Sequence, residues 1–152
     1  MDLVIFAGLP ASGKSTFFRA RFAATHRHMS KDLMRNVRRK GQRQVRLIEE
    51  ALEAGESVVV DNVNASVADR TELIALGRAR GARIVGYHFD ARVPECLERN
   101  ARRQGREHVP AVAVPAAAKR WEPPSYTEGF DRLYRVRIGD AGDFDVAEVP
   151  PG

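Results

Sequence analysis

Two uninterrupted apolar runs, Leu3-Val4-Ile5-Phe6-Ala7 and Val58-Val59-Val60, punctuate the chain. Runs without polar alternation are the mark of strands covered on both faces, as in a parallel sheet. Residues 83–89 and 133–138 read as two more central strands, and residues 25–30 as a short one. Between them the apolar spacing turns helical. Phe18 and Phe22 fall four apart after Lys14. Leu33 and Val37 lie on one side of a basic helix over 31–39 that Gly41 ends. Val45, Ile48 and Leu52 mark a helix over 42–54, with Gly55 just past it. Ser66 caps a helix running to Arg80. Val93 and Leu97 face inward from a helix over 93–104, and 111–121 reads as another, closed by Pro123-Pro124. Residues 144–149 add an edge strand. Strands alternating with helices predict an α/β fold: a mostly parallel five-stranded sheet with helices on both faces. Ligands of such sheets sit at the carboxyl ends of the strands.

Composition changes this picture little. The 152 residues, 43% apolar and 30% charged, suit one globular domain over 1–152. No apolar run is long enough to cross a bilayer, and Met1-Asp2 lacks the basic start of a signal peptide. A cytoplasmic protein without a membrane partner is expected. The single cysteine, Cys96, rules out an intramolecular disulfide and a Cys-rich metal site, and reads as a small buried residue.

Charge adds more. Residues 1–46 hold eleven Lys/Arg against two Asp, a net of +9, while the rest holds fourteen against eighteen acids. A basic third of a domain suggests a polyanionic partner, although a solvated basic helix gives the same count.

The chemistry concentrates at Gly8-Leu9-Pro10-Ala11-Ser12-Gly13-Lys14-Ser15-Thr16, a Gly, four residues, Gly-Lys-Ser pattern. This is the Walker A phosphate loop. Its glycines let successive N–H groups turn onto phosphate oxygens, Lys14 reaches the β- and γ-phosphates, and the Ser15 hydroxyl ligates Mg²⁺. The strand before it and the helix after it are in the required order. Gly8, Ser12, Gly13, Lys14, Ser15 and Thr16 are therefore the candidate nucleotide-binding residues.

Three further groups fall at strand ends. Asp32 and Arg35, three apart, share one face of a helix start. Asp32 can accept the proton of an attacking hydroxyl, or serve only as a dipole-favoured helix residue behind Ser30. Asp61 ends the strand expected beside the phosphate loop, where an acid holds the Mg²⁺ shell or where Asn62 and Asn64 simply form turns. Arg99 and Arg103 face the same way among Arg102 and Arg106, either as cations for a transferring phosphoryl group or as a solvated helix face paired with Glu95.

The order Gly8-to-Thr16, Ser30-Lys31-Asp32-Leu33-Met34-Arg35, Val60-Asp61-Asn62-Val63-Asn64 and Arg99-Asn100-Ala101-Arg102-Arg103 resembles the kinase domain of polynucleotide 5′-kinases. Glu122-Pro123-Pro124-Ser125-Tyr126-Thr127-Glu128-Gly129-Phe130 is similar to a segment of the kinase half of polynucleotide kinase/phosphatase proteins. The resemblance covers about residues 3–138. It implies a P-loop kinase fold with an Arg-rich lid near 93–120, and an ATP-dependent phosphotransferase acting on nucleic acid 5′-OH ends. It further implies ATP, or another nucleoside triphosphate, on Lys14 and Ser15 with Mg²⁺. Asp32 would activate the 5′-hydroxyl, and Arg35 would bind the phosphate 3′ of the acceptor, with Asn62 and Asn64 on the substrate side. Arg99 and Arg103 would be lid arginines. A repair role would rest on the kinase alone. A small-molecule kinase of the same fold, or a nucleotide-binding regulatory module, is the alternative expectation; DNA or RNA, strand form and oligomeric state stay open at this point.

Overall fold

Residues 1–34, 38–105, 108–139 and 142–151 are described in a computed structural model of the chain. Asp2–Ala7 (β1) takes the centre of a sheet because it is apolar on both faces. Leu3 and Ile5 point to one side, Val4 and Phe6 to the other, and none is more than 1% exposed. Val58–Asp61 (β3) and Arg83–Phe89 (β4) pair with it in parallel on its two flanks. Arg27–Met29 (β2) extends the sheet beside β3, and Arg132–Ile138 (β5) beside β4. Phe144–Glu148 (β6) closes the far edge antiparallel to β5, giving the order β2-β3-β1-β4-β5-β6. The sheet thus has six strands, the five of the expected sheet and the edge strand expected over 144–149. The sixth carries only two half-buried apolar residues, Phe144 and Val146, the weak pattern of an edge strand.

Lys14–Arg21 (α1) covers one face of the sheet with Phe17 and Phe18. Lys40–Glu53 (α2) and Val67–Ala79 (α3) cover the other with Ile48, Ala51, Leu52, Leu73 and Ile74. Val93–Arg102 (α4) and Ala113–Lys119 (α5) pack on each other and on Leu9 and Ala11, with Cys96 fully buried between them. No helix among the described residues is long and apolar enough to cross a membrane.

The expected basic helix over 31–39 is corrected. A single 3-10 turn, Lys31–Leu33, follows β2, and Leu33 is exposed instead of packed. Residues 35–37 lie outside the described residues. Gly41 does not end a helix but sits in the first turn of α2. There the backbone N–H groups have no helical partners anyway, and the buried face begins only at Gln44, with the apolar Ile48, Ala51 and Leu52 following. Ser66 caps α3 as expected, through a reciprocal pair of hydrogen bonds with Asp69.

One side chain ties three segments together. Arg70 is fully buried, and its Nε and Nη2 donate to both carboxylate oxygens of Glu128 at 2.8 and 3.1 Å. Nη1 donates to the Asn64 carbonyl and Nη2 to the Glu122 carbonyl, each at 2.8 Å. A bidentate pair with its remaining donors satisfied is the form in which a buried charge is tolerated. Replacing Arg70 by Leu should therefore cost about 3–5 kcal/mol in urea unfolding, because the Glu128 carboxylate is left buried without its counter-charge. Arg70→Leu combined with Glu128→Leu should recover much of that loss.

Candidate active site

The phosphate loop lies between β1 and α1, and its glycines are required by close approach. A Cβ on Gly8 would stand 2.6 Å from Ser12 Oγ and 2.7 Å from Phe89 Cβ. Gly13 is left-handed at φ +98, and a Cβ there would meet Ile138 at 2.8 Å. Lys14 Nζ, buried, folds back to donate to the Gly8 and Leu9 carbonyls at 2.8 and 2.9 Å. Burial lowers its pKa from the ordinary 10.5 to about 8, Asp61 opposes that fall, and the Arg103 charge adds to it. The buried Ser12 Oγ has no hydrogen-bond partner among the described residues. A cation held by neutral carbonyls beside an orphaned hydroxyl is chemistry that fits an anion. Thr16, next in α1, is exposed and accepts from Arg19 at 3.3 Å.

Ser15 Oγ donates to Asp61 Oδ2 at 2.8 Å, so the two residues named for Mg²⁺ are brought together. No cluster of three His, Cys, Asp or Glu residues forms among the described residues. A serine hydroxyl backed by one carboxylate suits Mg²⁺, which keeps waters and binds chiefly through substrate phosphates. His28 joins the pair: its Nε2 lies 2.7 Å from Asp61 Oδ2. Nothing in the sequence pattern singled His28 out.

On one side of this centre is a cavity of about 820 Å³ whose wall includes Asp32, Gln44, Asn62, Asn64, Asp69, Glu72 and Arg120. Asp32 is exposed there, its N–H held by Ser30 Oγ at 3.3 Å, and its carboxylate is near enough to raise the Lys14 pKa. Asn62 Nδ2 donates to Gln44 Oε1 at 2.8 Å, and Asn62 Oδ1 accepts from the Lys31 N–H at 3.0 Å. Asn64 is mostly buried at φ 46, its Nδ2 donating to the Phe6 carbonyl at 2.7 Å. That bond fixes the loop to β1, while Gln44, missed in the sequence, orients Asn62. Arg35 lies outside the described residues.

On the other side Arg99, at the end of α4, reaches the phosphate loop and donates to the Ala11 carbonyl at 3.4 Å. It also pairs with Glu95 at 3.6 Å. Arg103 is half-buried just beyond α4, and its charge reaches Lys14. Arg102 points away and pairs with Glu98. Arg106 lies outside the described residues. A second cavity, about 370 Å³, opens beside Ser12 and Arg99, lined also by Asp90, Arg137 and Ile138.

The sequence profile of the family described as an AAA domain matches residues 3–124. The chain belongs to this P-loop family. It is 30% identical over 141 residues to Transcription factor bHLH140 of Arabidopsis thaliana, covering 86% of this chain and 15% of that one. It is 22% identical over 148 residues to the Bifunctional polynucleotide phosphatase/kinase of Schizosaccharomyces pombe, covering 95% and 35%. The chain thus spans well under half the length of these curated relatives. In fold it is similar to a fungal RNA kinase, at TM-score 0.69 and 17% identity, covering 91% of this chain and 76% of the other. A gluconokinase from Sinorhizobium meliloti 1021 is similar at TM-score 0.63 and 19% identity, covering 91% and 83%. The chain has the P-loop kinase fold.

The Lys14 environment sets a pH dependence. Lys14 in the free protein holds its proton below pH about 8 and loses it above. A bound triphosphate favours the protonated form, so above that pH binding must take up a proton. Nucleotide affinity should be flat below pH about 8 and fall as pH rises beyond it. Titrating a fluorescent nucleotide between pH 7 and pH 10 checks this. Lys14→Met should bind weakly, with that alkaline limb gone.

Proposed function

We propose that the chain is an ATP-dependent polynucleotide 5′-hydroxyl kinase. One observation carries the choice of acceptor. Lys31 lines the larger cavity, and Arg38, Arg39, Lys40, Arg43 and Arg46 lie just before and along α2, whose Gly41, Gln42, Gln44 and Val45 also line it; all six are exposed, and none pairs with an acid among the described residues. Elsewhere Arg78, Arg80, Arg83, Arg92, Arg132 and Arg137 are each matched by a carboxylate. Unmatched cations along the segment that walls one cavity suit a string of phosphates better than a small neutral alcohol.

In this reading Lys14, Ser12 and the loop amides hold the ATP phosphates, and the smaller cavity takes the donor nucleoside. When bound, Mg²⁺, held at Ser15 with Asp61 behind it, supplies charge neutralisation at the phosphates. Asp32 accepts the proton of the 5′-hydroxyl as its oxygen bonds to the γ-phosphorus and the bond to the ADP oxygen breaks. Arg99 and Arg103, on the α4–α5 lid, steady the charge spread over the transferred group. Arg35 is assigned to the phosphate 3′ of the attacked nucleoside, through its two parallel N–H donors. The second reading is a small-molecule kinase, favoured by Asp69 and Glu72 in the cavity wall, which would repel phosphates.

Label transfer from γ-labelled ATP separates the two. The panel is a 5′-OH DNA oligonucleotide, a 5′-OH RNA oligonucleotide, a nucleoside and a sugar acid. An oligonucleotide should be labelled at its 5′ end with the highest kcat/KM, and Asp32→Asn should lower that turnover by ~10²–10⁴-fold. Labelling of the sugar acid alone would establish the second reading instead.

A further inference from the structure

We propose that His28 is a positioning residue for the Mg²⁺ site, acting through Asp61; this rests on the kinase reading above. His28 is the middle residue of β2, opposite Val59 of β3, so its side chain stands beside the end of β3. Its ring lies flat on Phe18 of α1, with centroids 3.9 Å apart and planes 13° from parallel. The stack fixes the ring plane and aims Nε2 at Asp61 Oδ2, 2.7 Å away. The ionised carboxylate can only accept, so Nε2 carries the proton in this bond.

Ser15 Oγ and His28 Nε2 therefore donate to the same oxygen of Asp61. No hydrogen bond to the other oxygen, Oδ1, occurs among the described residues, and Asp61 Oδ1 is not among the buried unpartnered atoms. Two donors on one oxygen stop the carboxylate from rotating. They leave Oδ1 with its lone pairs available to a water of the cation's shell. The carboxylate side chain is 2% exposed and His28 18%, so bulk water competes little for that orientation. Outer partners of this kind commonly set metal affinity by 10–100-fold without touching the metal.

The test is nucleotide binding, which needs no turnover. A fluorescent ATP analogue is titrated in EDTA and then across Mg²⁺ concentrations, on wild type, His28→Phe, His28→Asn and His28→Gln. Phe keeps a stacking ring and loses the donor. Asn is too short to place a donor at the Nε2 position, whereas the Gln amide reaches it. Affinity in EDTA should be the same for all four proteins. The Mg²⁺ concentration that half-tightens binding should rise about 10–100-fold in His28→Phe and in His28→Asn, and return most of the way in His28→Gln. Thermal unfolding identifies which variants are folded, and Asn carries the test if Phe does not fold. An unchanged Mg²⁺ requirement in either folded variant overturns the assignment of His28 while leaving the kinase reading standing. A wild type whose nucleotide binding ignores Mg²⁺ overturns both.

Discussion

The Lys14 ammonium has been taken out of water and given two neutral carbonyls, Gly8 and Leu9, as its nearest partners. That arrangement is incomplete as a stable interior, because a buried cation with no carboxylate bonded to it directly is held at a cost. The low Lys14 pKa is the visible sign of that cost. Everything around the loop supports it. The β1 strand is gripped on both faces by apolar packing, the Gly8 N–H donates to the Val63 carbonyl at 3.0 Å, and the α4–α5 pair packs its apolar side onto Leu9 and Ala11. The loop is thereby preformed for an anion, and the cost of ordering it is met by folding rather than by binding.

From that centre the site divides into two sides. Asp61, Ser15 and His28 form a hydrogen-bonded chain at the ends of β3 and β2. Arg99 and Arg103 approach from α4. The larger cavity lies beyond Asp61, walled by the Asp32 turn, by α2 and by the 62–64 loop. Arg70 holds the far side of that loop through the Asn64 carbonyl, and the same guanidinium holds the Glu122 carbonyl where the chain leaves α5. One buried arginine thus ties the 62–64 wall of the cavity to the chain leaving α5. The Glu-Pro-Pro to Glu-Gly-Phe stretch supplies Glu128 and the Glu122 carbonyl to Arg70.

The parts of this that the sequence revealed are those fixed by local pattern. Leu3–Ala7 of β1 and Val58–Val60 of β3 are apolar without interruption, the phosphate loop is set by residue spacing, and Ser66 caps by a local reciprocal bond. What it hid depends on partners distant in the chain. Arg70 reads as one more basic residue of an exposed helix until Glu128, 58 positions later, is placed against it. His28 and Gln44 are ordinary until β2 and α2 bring them to Asp61 and Asn62, 33 and 18 positions away. The 31–39 stretch misled for the opposite reason. Leu33 at helical spacing from Val37 suggested an apolar face, but the chain after β2 makes one 3-10 turn and leaves Leu33 in solvent. Here tertiary position overrode a two-residue pattern.

The proposed polynucleotide acceptor requires that the unmatched cations before and along α2 meet its phosphates. The salt dependence of the acceptor KM tests it most directly, with ATP saturating. Each phosphate contacted should contribute a slope of about 0.7–0.9 in log KM against log salt, so a steep dependence on a 5′-OH oligonucleotide is expected. Arg39→Gln with Arg43→Gln should flatten that slope and leave the KM for ATP unchanged. A slope near zero in the wild type, or one that the double variant leaves intact, would contradict that role of the cations.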